Sequence, residues 1–160
     1  MTSPVRLQDH SCTPWQHQVE RLSPEHVPQL RTSSVAYCRE ARISQGRPAD
    51  PSALDGVALV VTEMVTNVLK HATTPGRPVG MGLSLMLHGD DVLIVVSDPS
   101  PHGLLVDTTE PGLEEGGLGL GLVRTISHDR WGWHPLPLGK AVWAMCPLSD
   151  APAAPTRMEP

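Results

Sequence analysis

Phenylalanine is absent from the 160 residues, and tyrosine occurs once. Neither shortage carries a functional reading. Other absences do. There are three cysteines, Cys12, Cys38 and Cys146. They are scattered, odd in number and outside any C-x-x-C, which argues against a disulfide framework or a zinc knot and fits reduced thiols in the cytoplasm. The eight histidines form no H-E-x-x-H and no close His/Cys pair, so no transition-metal motif is present. No uninterrupted apolar run is long enough to span a bilayer. Met1 to Asp9 lacks the charged-then-apolar pattern of an export signal, which predicts a cytoplasmic protein away from membranes. Positive charge is also short. A net charge of −5 argues against direct nucleic-acid binding by the protein as a whole. There are no internal repeats.

What the chain does have is a strongly patterned stretch from Leu54 to Ala72. Leu54, Val57, Ala58, Val61, Met64, Val65, Val68 and Ala72 recur at spacings of three and four, which predicts a helix with one broad apolar face. Glu63, Asn67 and His71 lie four apart on the opposite side, with Lys70 beside them. A solvated face could look like this. However, asparagine is a poor interior helix former, and a carboxylate, a carboxamide, an amine and an imidazole clustered on one face suggest a site. Asp50-Pro51 reads as the start of this helix.

Around it the chain parses as follows. Residues 1–12 read as a flexible arm. Trp15 to Leu22 alternates as a strand. A helix starts near Ser23-Pro24 or at Pro28 and runs to Ser44, with Val27, Leu30, Ser34, Tyr37 and Ala41 in register and a polar Thr32-Ser33-Ser34 interrupting them. After the central helix, Val79 to Leu87 and Asp91 to Ser97 read as a hairpin turning at His88-Gly89-Asp90, with Asp98 at its end. Pro99 to Glu115 is an aperiodic loop of a length typical of lids. Gly116-Gly117-Leu118-Gly119-Leu120-Gly121-Leu122 opens a short helix to Ser127 or His128. Arg130 to Trp133 and Lys140 to Cys146 read as a last strand pair. Residues 149–160, rich in Ala and Pro, read as a disordered tail. The sum is one domain over 13–148, an α/β (α+β) sandwich with a single mixed, largely antiparallel sheet and helices packed on one face.

Alternating glycines before a helix let backbone N–H groups point inward without interference from Cβ atoms, and a helix N-terminus adds partial positive charge. That is a phosphate cradle, although a glycine-rich turn is more often just a turn. It is neither a Rossmann fingerprint, since no βαβ unit surrounds it, nor a P-loop. Asp98 in turn can be read as a ligand or as a strand-end turn former. Trp131, Trp133 and Trp143 read as packing residues.

The order of these pieces is a helix bearing E-x-x-x-N-x-x-K-H, a hairpin ending in Asp, a long loop, G-x-G-x-G opening a helix, and a terminal hairpin. This resembles the GHKL (Bergerat-fold) ATPase family over about Trp15 to Pro147. Within that family it looks most like the small anti-sigma-factor serine/threonine kinase-like regulators of actinomycetes, whose last strand pair is similar to Asp129-Arg130-Trp131-Gly132 and Gly139-Lys140-Ala141-Val142-Trp143. The resemblance implies ATP and Mg²⁺ as cofactors. Asn67 would hold the metal, Glu63 would act as general base, and Lys70 would meet phosphate oxygens as a point charge. His71 would assist or merely pack. Asp98 would accept a hydrogen bond from the adenine amino group, while Gly117, Gly119 and Gly121 would wrap the phosphates under a lid formed by Pro99 to Glu115. It also implies protein partners: an anti-anti-sigma-like antagonist that is phosphorylated and a sigma factor or similar regulator that is sequestered. A homodimer is allowed. The alternatives are a degenerate binding module without turnover, or a histidine kinase-like catalytic domain acting with a separate partner. Two positions depart from the family pattern. Ser100 stands where a glycine is usual, and Ala141 stands where a threonine hydroxyl would help hold Asp98.

Overall fold

The computed structural model describes residues 13–72, 76–100 and 117–150. The expected arm at 1–12, nearly all of the expected lid and the tail beyond Asp150 lie outside the described residues. The elements are β1 (Trp15–Val19), α1 (His26–Ser44), α2 (Pro51–His71), β2 (Met81–His88), β3 (Asp91–Asp98), α3 (Gly117–Ile126), β4 (Trp131–Leu136) and β5 (Gly139–Pro147), in that order. The strands form one sheet in the order β1-β2-β3-β5-β4, and every pairing is antiparallel. This is the α/β sandwich that the periodicities imply.

The sheet alternates because successive side chains point to opposite faces. In β3, Val92, Ile94, Val96 and Asp98 are buried, while Asp91, Leu93, Val95 and Ser97 are only half-covered. Cross-strand neighbours continue the buried series through Leu83 and Leu85 of β2 and Val142, Ala144 and Cys146 of β5. Val57, Val60, Val61, Met64, Val65 and Val68 of α2 join these residues in one apolar cluster, with Leu30 and Cys38 of α1 and Val123 of α3. Each fully buried aliphatic side chain contributes roughly 1.5–3 kcal/mol, so the α2 stripe alone outweighs any surface interaction in the molecule. By length and composition α2 could cross a membrane. Here it is the core helix of the sandwich, with eight of its residues buried.

Both helix starts differ from the expected capping. α1 begins at His26, not at Ser23 or Pro24. The Ser23 N–H donates to His26 Nδ1 at 3.1 Å, and its hydroxyl lies 2.9 Å from the same nitrogen, so Ser23 closes a turn ahead of the helix. Asp50 does stand at the N-cap of α2, but its side chain caps nothing. Its Oδ2 instead accepts the Asp150 N–H at 2.5 Å, while Asp150 accepts from Ser52 Oγ at 2.6 Å. Asp150, the second residue of the expected tail, is thus tied to the body.

These contacts set the direction of the central helix. The Asp50 N–H donates to the Leu148 carbonyl at 3.0 Å, which pins the start of α2 at the end of β5. α2 packs on β3 and β5. Its 21 residues span about 30 Å, and the nine of β5 span about 30 Å as well. The last turns of α2 therefore reach the opposite end of the sheet, where β3 finishes at Asp98 and β5 starts at Gly139.

Cys38 and Cys146 are buried and unbridged. Burial pushes the Cys146 thiol up to about 12, with Arg130 pulling the other way and Asp91 adding to the rise. Since the thiolate is the reactive form, iodoacetamide at pH 8 should leave Cys146 unmodified in the native protein and alkylate it once urea unfolds the chain, as read by peptide mass spectrometry. Equal modification in both states would contradict the burial.

Candidate functional site

The polar stripe of α2 is placed where its spacing predicts. Glu63 and Asn67 are half-buried, and Lys70 and His71 are exposed. His71 therefore does not pack into the core. Thr62, beside them, is committed to its own helix through a 2.7 Å bond from Oγ1 to the Ala58 carbonyl. Among the described residues, no hydrogen bond or ion pair engages Glu63, Asn67, Lys70 or His71. Two polar side chains half withdrawn from solvent without partners are poised for something else to bind, because partial desolvation left uncompensated costs free energy.

Asp98 ends β3 and is 4% exposed. Its Oδ1 accepts the Ser100 N–H at 2.8 Å, a side-chain turn of the kind aspartate makes at strand ends. Its Oδ2 lies 3.7 Å from Lys140 Nζ, with the aspartate side chain 1% and the lysine side chain 9% exposed. The turn-former and ligand readings of Asp98 are therefore compatible, since each uses a different oxygen.

Gly139 is what brings Lys140 there, and the sequence reading did not single it out. Its φ is +117°. A Cβ on it would lie 1.9 Å from the Asp98 carbonyl oxygen and 2.6 Å from Pro99 Cα. Only glycine lets the start of β5 sit directly on the end of β3. The contact fixes Asp98 opposite Lys140, and Ser97 opposite Ala141. Directly paired residues share a face, so Ala141 stands with Ser97 and His134, on the side of the sheet away from Asp98. This corrects the expectation for Ala141. A hydroxyl there would not reach Asp98, and Lys140 is the β5 residue that does.

The glycine stretch opens a short helix, as expected, but Gly117, Gly119 and Gly121 lie within α3 itself rather than ahead of it. The helix extends back through the glycines. Only the first four N–H groups of such a helix stay available to a ligand. The Gly121 carbonyl accepts from Thr125 Oγ1 at 3.0 Å, and a Cβ on Gly121 would meet nothing within 4 Å. α3 packs on α2 at its far end, where Ile126 Cγ2 approaches to 3.1 Å of the position a Gly56 Cβ would take.

The structure thus brings the second half of α2 and the Asp98–Lys140 pair to one end of the sandwich, with α3 alongside α2. Among the described residues no group of three His, Cys, Asp or Glu could hold a metal alone. Mg²⁺ does not need one, since it commonly takes one or two protein oxygens together with substrate phosphates and water. An uncommitted carboxamide with a carboxylate one turn away fits that donor set.

Comparison with known proteins identifies the family of this two-layer sandwich. The histidine kinase-like ATPase domain profile matches residues 21–144. The chain belongs to that family, the GHKL ATPases, and is an ATP-binding domain of kinase-like type. No curated protein matches it. A solved structure, the nucleotide-free catalytic domain of histidine kinase ThkA, is similar at 15% identity, covering 84% of this chain and 98% of that one, with a TM-score of 0.48.

Two outcomes follow from the placements. Ala141→Thr should leave ATP affinity within about twofold of wild type in calorimetric titration, because its side chain lies across the sheet from Asp98. A clear gain would mean the register is wrong. Gly121→Ala should raise the ligand-free Tm, since alanine is favoured over glycine inside a helix by about 1 kcal/mol and space is open. A lower Tm would show that packing requires this glycine.

Proposed function

We propose that the protein is an ATP- and Mg²⁺-dependent regulator of the anti-sigma-factor kinase type. It transfers a phosphoryl group to a serine or threonine of a small antagonist protein in the cytoplasm and sequesters a sigma factor or similar regulator. The observation that carries the chemistry is the uncommitted Glu63–Asn67 pair, four residues apart on the one helix whose other face builds the core. The similarity of Asp129 to Gly132 and Gly139 to Trp143 to the terminal strands of such regulators supports the partner class.

In this reading Asn67 holds Mg²⁺ through its carboxamide oxygen. The bound metal would neutralise charge developing on the phosphate oxygens. Glu63, one turn earlier, accepts the proton of the attacking hydroxyl as general base. Lys70 is exposed on the same stripe and can offer its ammonium to phosphate without first breaking an ion pair. Asp98 receives the amino group of the base through Oδ2, because Oδ1 is already occupied by Ser100. The N-terminal N–H groups of α3 complete the phosphate contacts.

A second reading, a binding module that grips its partner without turnover, is favoured by one feature: the base-reading aspartate already faces a lysine.

Two variants separate these readings. Asn67→Ala should abolish Mg²⁺-dependent ATP binding while leaving the ligand-free Tm within a few degrees of wild type, because Asn67 lies off the apolar face. Wild-type affinity in this variant would remove the metal assignment. Glu63→Gln keeps size and hydrogen bonding but not the base. It should bind ATP normally and lose phosphoryl transfer to a cognate antagonist by 10²-fold or more. Unchanged transfer would exclude Glu63 as the base, and wild-type protein inactive on every candidate antagonist would favour the module without turnover.

A further inference from the structure

The helices cover one face of the sheet, and no described element covers the other. α2 packs on β3 and β5, α1 on β2 and α3 on β5, over the side that carries Val92, Ile94 and Val96. On the opposite side the register sets Met86, Leu93 and Met145 in one row across β2, β3 and β5. Ser84, Val95, Trp143 and Gly132 form the next row. Met86 is 38% exposed, and Leu93, Val95, Trp143 and Met145 are half-covered. The Trp143 indole rests against the backbone of Gly132, where a Cβ would come within 3.1 Å of the ring. The ring thereby extends the apolar strip onto the edge strand. Gln16, Gln18, Ser97 and His134 border it. Apart from Asp91 at the hairpin end, which Arg130 engages, no strand residue on this side is Asp, Glu, Lys or Arg.

We propose that this face is where two copies of the chain associate, sheet against sheet about a twofold axis. Its composition is that of an interface core, with an aromatic and methionines at the centre, charge absent and polar groups at the rim. Its size also fits. β2, β3 and β5 run eight, eight and nine residues, and the edge strands five and six. At about 4.8 Å between strands and about 3.4 Å per residue, the flat footprint is roughly 600 Å². Side chains standing on the face raise its accessible area above that, toward the about 800 Å² per partner of a standard interface. Charge selects the occupant. The chain carries a net charge of −5, so two copies repel over most of their surfaces, and this face is where they meet without that cost. It offers no basic surface to nucleic acid and no unpaired charge to an oppositely charged partner. Identical apolar rows, by contrast, complement one another under twofold symmetry. Two such sheets pack about 10 Å apart with strands within about 30° of each other, and flexible Met86 and Met145 fill the space between them. The Glu63–Asn67 stripe lies in the helix layer and stays open in both copies. The inference therefore does not depend on the nucleotide reading.

Sedimentation equilibrium of the whole chain tests it. At about 50 µM, within reach of an interface of this size, the mass should be twice the 17.2 kDa of one chain. Met86→Lys places a cation on each copy at the centre of the face and should weaken association by tenfold or more. Leu59→Lys, at an exposed position of α2, should leave it unchanged. The Tm of each variant, measured at a concentration low enough to hold wild type as monomer, shows whether the fold is kept. A second measurement needs no substitution. In a one-to-one mixture of isotope-labelled and unlabelled wild type, filtered nuclear Overhauser spectra should show the Met145 methyl of one copy against the Trp143 ring of the other. Wild type that remains monomeric at this concentration would overturn the proposal. So would a dimer that survives Met86→Lys at full strength and lacks those intermolecular cross-peaks, which would place the association on another surface.

Discussion

The structure depends on the burial of one face of α2 against the middle of the sheet. Val57, Val60, Val61 and Val65 are fully enclosed, and the strands beneath them contribute Ile94, Val96 and Ala144. This contact fixes the rotation of the helix about its axis. Once the valines point down, Glu63 and Asn67 must point away from the core, half-covered and along one line. Their placement needs no interaction of their own, which is why they can remain uncommitted. A site built on such a helix is held by the largest hydrophobic term in the molecule and not by its own polar contacts.

The second constraint is local. The end of β3 and the start of β5 meet through a glycine that no other residue can replace, and that contact decides which β5 side chain faces Asp98. The usual cost of glycine, extra conformational entropy in the unfolded chain, is small beside the strain that any Cβ at φ +117° would store. The Asp98 end of the candidate site is thus a backbone feature first and a side-chain feature second.

Much of this was legible in the sequence, because the strongest signals were periodic. The 3.6-residue stripe of α2 and the two-residue alternation of β2 and β3 each identify both an element and its buried face, so the Glu63 and Asn67 face could be named from spacing, whereas Asp98 became a candidate through the family resemblance. What was not legible depended on pairing. Whether Lys140 or Ala141 faces Asp98 is a one-residue question of register, and a slip of one turns every side chain to the other face. The Gly-Leu alternation could be read as a loop or a helix start, and α3 shows the helix winning. Helix caps misled for a related reason. Ser23 and Asp50 are good capping residues, but tertiary and local partners, His26 and Asp150, took their side chains first. Ser34 of α1, polar in sequence, is wholly buried, because the helix keeps its inward face regardless of one hydroxyl.

Charge is distributed unevenly between the two ends of the sandwich. At the β2–β3 hairpin, Arg42 and Arg47 both pair with Asp90, and Arg130 makes a two-pronged contact with Asp91 at 2.7 and 3.0 Å. The Asp91 bond holds the Arg130 guanidinium above its ordinary pKa. These pairs tie α1, the hairpin and the start of β4 together at the end where α2 begins. At the other end, where α2 finishes, Glu63 and Asn67 have no partner among the described residues, and Asp98 faces Lys140 at 3.7 Å while accepting the Ser100 N–H. Arginine forks that lock geometry stand at one end, and a lysine, a point charge, stands at the other. An exposed ion pair contributes little, but several sharing one hairpin can anchor it without drawing on the core. Glu63 and Asn67 at the opposite end carry no such duty among the described residues, which is the condition a ligand needs if its binding is not to compete with the fold.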